Sequence, residues 1–184
     1  GVVYRRPDGV PLLEAGAPDL CRLATSLAAE TAGGWTWEVE AATFTEQSGV
    51  PVVPSRGNLY RDVDPSTVAR LAGAPYDAAG FWPADPLALG EEFHWHGAVG
   101  HPLYLHPVAY RAADQTVRLY SALTVRFLPV PGPKPRIEVP VDPQFAAMHR
   151  RRFLNPIAAD RYDQLDEHAR VLVLAPAAYM DVLA

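Results

Sequence analysis

One cysteine, Cys21, is all the chain has, so no disulfide can close within it and the thiol content does not settle its compartment. No apolar run approaches the roughly 18 residues of a membrane span, and no membrane partner is expected. The first residues carry no signal-peptide pattern, which fits a cytosolic protein or a secreted one whose signal lies outside this sequence. A net charge of -5 leaves no basic footprint for nucleic acid. A glycine-rich phosphate loop and a Gly-x-Ser-x-Gly elbow are both missing, which removes the common signals for nucleotide binding and for a serine nucleophile. No cofactor is expected.

What is present suits a packed, mostly β protein. Of 184 residues, 49% are hydrophobic and 20% charged, a globular balance. Nineteen prolines are roughly double the usual ~5% share and favour short elements joined by turns. Trp35 to Thr45 alternates, with Trp35, Trp37, Val39 and Ala41 on one face and Glu38 and Glu40 on the other, the pattern of a half-buried strand. HPLYLHPVAY and QTVRLYSALTVRFLPV flank RAAD, which predicts a hairpin with a four-residue loop. In its second arm Val117, Leu119, Ser121, Leu123, Val125 and Phe127 share a face. The segment 73–90 (GAPYDAAGFWPADPLALG) reads as loop. LCRLATSLAA is ambiguous, because Leu20, Leu23, Ala24 and Leu27 have helical spacing.

After residue 129 the character changes. VPGPKPRIEVP has four prolines in eleven residues and reads as a linker. DPQFAAMHRRRFL comes next as a short helix, with Asp142 as N-cap and Pro143 in its first position. RVLVLAPAAYMDVLA reads as a buried-type strand entering an α/β domain. That apolar strand must pair with the β domain, pair with another copy, or fray.

Four of six histidines fall in EEFHWHGAVGHPLYLHP. His94 and His96 are two apart, so a strand sends both to one face, a workable metal-ligand spacing. His101, His106, Glu91 or Glu92 would supply a third ligand. The bland reading is stronger: Pro102 and Pro107 point to turn or strand-edge geometry, and no Cys/His ribbon spacing supports a zinc site. Clustered histidines also make protonation near pH ~6.5 a lever on that face. Trp35, Trp37, Tyr76, Phe81, Trp82, Trp95 and Tyr104 would form a sugar platform, but more often such side chains fill a core. Cys21, among apolar residues, reads as buried and structural. The run His149 to Arg152 is a solvated helix face or, functionally, a processing site; Arg161-Tyr162 is the other candidate.

The order of these segments resembles the N-terminal propeptide of gingipain-type secreted cysteine peptidases, running into the first residues of their caspase-like catalytic domain. GAPDLCRLATSLAA followed by WTWEVEAATF is similar to the family's entry and first strands. VPVVPSRG, PYDAAGFWPADPLALG and the hairpin HPLYLHPVAYRAADQTVRLYSALTVRFL come in the family's order. FLNP, a tyrosine and RVLVLAP resemble the junction with the enzyme. The resemblance implies that LCRLATSLAA is a strand. It also implies an all-β propeptide, secreted or at a bacterial cell surface, that keeps its own peptidase latent in cis and assists its folding. The catalytic histidine and cysteine are then expected beyond Ala184, so this fragment is not itself an enzyme.

The expectations are therefore a mainly β fold, an antiparallel β-sandwich over 1–130, a linker and junction helix over 131–161, and the start of a truncated α/β catalytic domain over 162–184. Arg152, Arg161 and Tyr162 are the candidates for processing or for blocking the substrate pocket. In the resembled family an arginine commonly precedes a glycine where His96-Gly97 stands here. The competing reading is a stand-alone β-sandwich binding carbohydrate or metal through its His/Trp surface.

Overall fold

The computed structural model describes residues 1–3, 8–95, 98–133, 143–155 and 170–174. They form β1 (Val10–Pro11), β2 (Cys21–Ala28), β3 (Trp35–Gln47), β4 (Leu87–Leu89), β5 (Phe93–Trp95), β6 (Ala98–Leu105), β7 (Val108–Arg111), β8 (Thr116–Pro129), helix α1 (Pro143–Arg152) and β9 (Arg170–Leu174). One sheet has the order β1-β2-β6-β4, with β5 also on β6. The other has the order β3-β8-β7, with β9 also on β8. The fold is mainly antiparallel β with little helix, in line with the sequence expectation.

The chain divides into two compact units, neither continuous in sequence. The first takes Gly1–Leu23, Phe44–Leu87 and Leu105–Ser121, and the second takes Ala24–Thr43, Ala88–Tyr104 and Ala122–Ala184.

In the first unit Leu20, Val52, Val108, Tyr110 and Val117 form the core, with Tyr76, Trp82 and Leu119 packed on it. The Tyr76 hydroxyl donates to the Val52 carbonyl at 2.9 Å. Burial pushes that hydroxyl up to about 12, so it stays a donor. Arg70 closes the loop side. Its Nη1 donates to Asp19 Oδ2 at 2.8 Å and to the Pro54 carbonyl at 2.6 Å. The Asp19 side chain is buried, so a guanidinium that satisfies both acceptors suits the site.

The predicted hairpin forms. β7 pairs antiparallel with β8 from Val108↔Leu119 to Arg111↔Thr116, leaving Ala112 to Gln115 as a four-residue loop. Gln115 takes the left-handed conformation that closes it, at φ 54°. On β8, Val117, Leu123, Val125 and Phe127 are buried, while Arg118 and Arg126 of the other face reach Glu46 and Glu40. LCRLATSLAA is a strand, and the helical spacing of its leucines misleads because β2 ends in consecutive buried residues, Ser26, Leu27 and Ala28. A strand covered on both faces shows no period of two.

The segment 73–90 is not all loop, because Leu87–Leu89 near its end form β4 beside β6. Two further expectations need correction. HPLYLHPVAY is not one hairpin arm. It breaks at His106-Pro107 into β6 and β7, which belong to different sheets. Pro107 thus sits in a turn, but Pro102 lies inside β6. Its missing N–H costs little there, because pairing with β5 ends at Gly100 and the Pro102 carbonyl accepts from Gly90 N–H at the start of pairing with β4. The second correction concerns β3. The strand is there, but it is not half-buried: only Trp35 is buried and Trp37 partly so, and every residue from Glu38 to Gln47 is exposed. Alternation marks two chemically different faces, and it covers neither of them.

Candidate functional site

In the second unit, α1 is bound into the strand core by the three residues directly after it, Phe153 to Asn155. Phe153 is 3% exposed and packs on Ala28 and Ala98, with Phe93 and Trp95 beside them. Its ring stacks on Phe93 at 6.0 Å and meets Trp95 edge-on at 6.0 Å. His149, one turn earlier, is buried against Trp95 at 5.1 Å and Phe153 at 5.6 Å. Leu154 N–H donates to the Ser26 carbonyl at 2.9 Å. Asn155 then uses both ends of its amide on one residue: Oδ1 accepts from Ala28 N–H at 2.7 Å and Nδ2 donates to the Ala28 carbonyl at 3.0 Å. A side-chain amide thus pairs with the end of β2 as a neighbouring strand would. Gly100 makes room for this docking, since a Cβ there would lie 2.5 Å from the Phe153 ring.

Of the run His149 to Arg152, the three arginines are exposed and His149 is buried, so only the arginines form a solvated face. Their charge at the end of α1 offsets the partial negative charge of its terminal carbonyls. The Arg152 guanidinium also lies over the Phe93 ring, 5.2 Å from its centroid. Arg161, Tyr162 and the N-cap candidate Asp142 lie outside the described residues.

Among the described residues the histidines of this stretch have separate surroundings. His94 is exposed on β5 and faces Glu92 Oε1 at 3.5 Å. The His101 Nδ1 donates to the Gly90 carbonyl at 3.3 Å, and its Nε2 is buried near Gly34. The His106 Nδ1 donates to the Asp85 carbonyl at 2.9 Å. His96 lies outside the described residues. Among the described residues no three His, Cys, Asp or Glu side chains are grouped to hold a metal. His101 and His106 are each tied to a separate backbone carbonyl, whereas His94 is exposed.

His106 alone has a pH consequence. Burial holds its imidazole below the usual histidine range, against the smaller opposing effect of the Asp85 hydrogen bond. The unfolded chain therefore binds this proton more readily than the folded one. Its contribution to stability is full above the unfolded value of about 6.5 and is lost as pH falls through the lower folded value. Urea titrations over that acidic range are expected to show a falling midpoint, and His106→Gln is expected to flatten the slope.

Several of the aromatic candidates are engaged within their own unit. Tyr76 and Trp82 pack on the first unit's core, and Trp95 packs on Phe153 in the second. Phe81 lies between two guanidinium groups, 4.4 Å from that of Arg111 and 3.9 Å from that of Arg118. The Trp35 Nε1 donates to the Ala28 carbonyl at 3.0 Å. Cys21 is buried, as its apolar setting suggested. Sequence reasoning missed Phe153 and Asn155 as anchors; the available signal was FLNP, an apolar pair and an amide directly after a helix.

This chain matches the Propeptide_C25 family over residues 3–130. The chain belongs to that family. The propeptide is 30% identical to gingipain R1 of Porphyromonas gingivalis over 118 residues, covering 64% of this chain and 12% of that protein. It is 28% identical to gingipain R2 of strain W83 of the same organism, covering 64% of this chain and 16% of that protein. It therefore spans a small part of the curated relatives it matches. Among solved structures, the complex of Porphyromonas gingivalis RgpB pro- and mature domains aligns with TM-score 0.70 at 26% identity, covering 82% of this chain and 78% of that one. A structure described as giving insight into the zymogenic latency of gingipain K aligns with TM-score 0.55 at 18% identity, covering 68% and 72%, and shows the shared fold. The matched region of the propeptide is the non-catalytic part of such a precursor.

Proposed function

We propose that this propeptide keeps a gingipain-type cysteine peptidase latent, in cis, and assists its folding until it is cut away. The observation that carries this reading is the alignment over 82% of the chain with a propeptide solved in complex with its mature domain. Tethering makes the contact intramolecular, so a modest interface suffices while the chain is intact, and cutting lowers the effective concentration and permits release. On this reading residues 1–130 are the inhibitory β domain, 131–161 the linker and junction helix, and 162–184 the start of the catalytic domain. The precursor is bacterial and acts outside the cell or at its surface.

The geometry around α1 bears on where the cut falls. A peptidase needs several residues extended on both sides of the scissile bond. Phe153, Leu154 and Asn155 are held in the core or on β2, so Arg152 is poorly placed although its own side chain is exposed. This supports Arg161-Tyr162 as the processing point. To test the partner, the purified chain is mixed with a mature gingipain-type domain and run by gel filtration. A 1:1 complex is expected; separate elution at micromolar concentrations contradicts the proposal.

A further inference from the structure

Among the described residues β3 is the longest edge strand. It is the end strand of its sheet, with no strand among the described residues on its far side. Edge strands are normally blunted by shortness, proline, charged side chains (lysine above all) or a bulge. β1, the end strand of the other sheet, is two residues long and contains Pro11. β3 runs for 13 residues without proline, glycine or lysine. That is roughly 43 Å of strand. Its charges are three glutamates, two of which have an arginine partner on β8, Glu40 with Arg126 and Glu46 with Arg118.

We propose that β3 is a docking edge for β3 of a second copy of this chain, paired antiparallel about a twofold axis at Ala41. The strand's own charge pattern selects both the partner and the register. A twofold axis perpendicular to the sheet keeps each face continuous, so partners must have the same parity and the register moves only in steps of two. Full overlap sets Trp35 opposite Gln47 and centres the pair on Ala41. It then opposes Glu38 to Phe44, Glu40 to Ala42 and Glu46 to Thr36, with no carboxylate facing another. One step in one direction sets Glu40 against its own copy, and one step in the other sets Glu38 against Glu46. The next step each way opposes Glu38 to Glu40 or Glu40 to Glu46. Like charges directly opposite are destabilising. The register with the most hydrogen bonds is thus also the one free of repulsion. A ladder of this length supplies about a dozen interchain hydrogen bonds, the number found across a standard protein interface. The pairing does not depend on the latency reading.

The test uses the whole chain. Light scattering on a size-exclusion column is expected to give twice the chain mass, rising with concentration. Ala41→Glu sets a carboxylate against itself and is expected to weaken the dimer at least about tenfold, while the monomer's unfolding midpoint stays unchanged. Ala41→Cys is the sharper variant, since Ala41 alone lies opposite its own copy. It is expected to cross-link on oxidation, because directly opposed strand residues fall within disulfide reach. Val39→Cys, opposite Thr43, is expected not to cross-link. A monomer at all concentrations with no Ala41→Cys cross-link overturns the proposal, as does cross-linking through Val39→Cys instead. A monomer whose complex with a peptidase domain is lost on Ala41→Glu overturns it too, and gives the strand to that partner.

Discussion

Replacing Phe153 with alanine is expected to cost about 3–5 kcal/mol of stability, measured as a lower urea midpoint. The ring is 3% exposed and is the contact through which the end of α1 joins Ala28, Ala98, Phe93 and Trp95. Truncation leaves a cavity bounded by two aromatic rings and by Gly100, which has no side chain to move into it. Phe153→Leu fills most of that volume and is expected to lose less than about 1.5 kcal/mol. The alanine variant has a second readout. With the anchor gone, the Arg150 to Arg152 segment is expected to become sensitive to arginine-directed proteolysis that the native chain resists. An unchanged midpoint together with unchanged resistance contradicts the assignment of Phe153 as the anchor.

The second large effect concerns release. In a precursor that joins this chain to its catalytic domain, Arg161→Gln is expected to prevent formation of the mature enzyme, and Arg152→Gln is expected to leave it unaffected. Cutting after Arg152 requires Phe153 to leave the core and the bonds of Leu154 and Asn155 to open. At about 2–3 kcal/mol for the ring and about 1 kcal/mol for each hydrogen bond, the opening costs about 5 kcal/mol. That holds the cleavable population near roughly 10⁻⁴. The N-terminal residue of the released enzyme decides the point. Tyr162 is expected, whereas Phe153 means that the docked segment opens far more readily than its contacts imply.

Much of the fold was legible because strand patterning is a local property. The inward face of β8 could be read from Val117, Leu123, Val125 and Phe127, and the place of the hairpin from RAAD, although the loop itself is shifted by one residue to Ala112–Gln115 because Arg111 pairs with Thr116. β2 was legible only through the family resemblance, since burial at its end erased the period of two. For β3 the sequence marked the strand but not its setting, because whether a face is covered depends on residues far along the chain. Histidine density suggested a shared site, yet His101 and His106 each bond a separate carbonyl. The Asn155 pairing with Ala28 spans 127 residues, and no local pattern encodes such a partner.

The most direct measurement is a titration of mature gingipain-type peptidase activity with the purified 184-residue chain. A latency propeptide is expected to inhibit in trans, stoichiometrically at micromolar concentration, and to protect the enzyme from a covalent active-site thiol probe. Full activity and full labelling at an excess of folded propeptide would contradict the account.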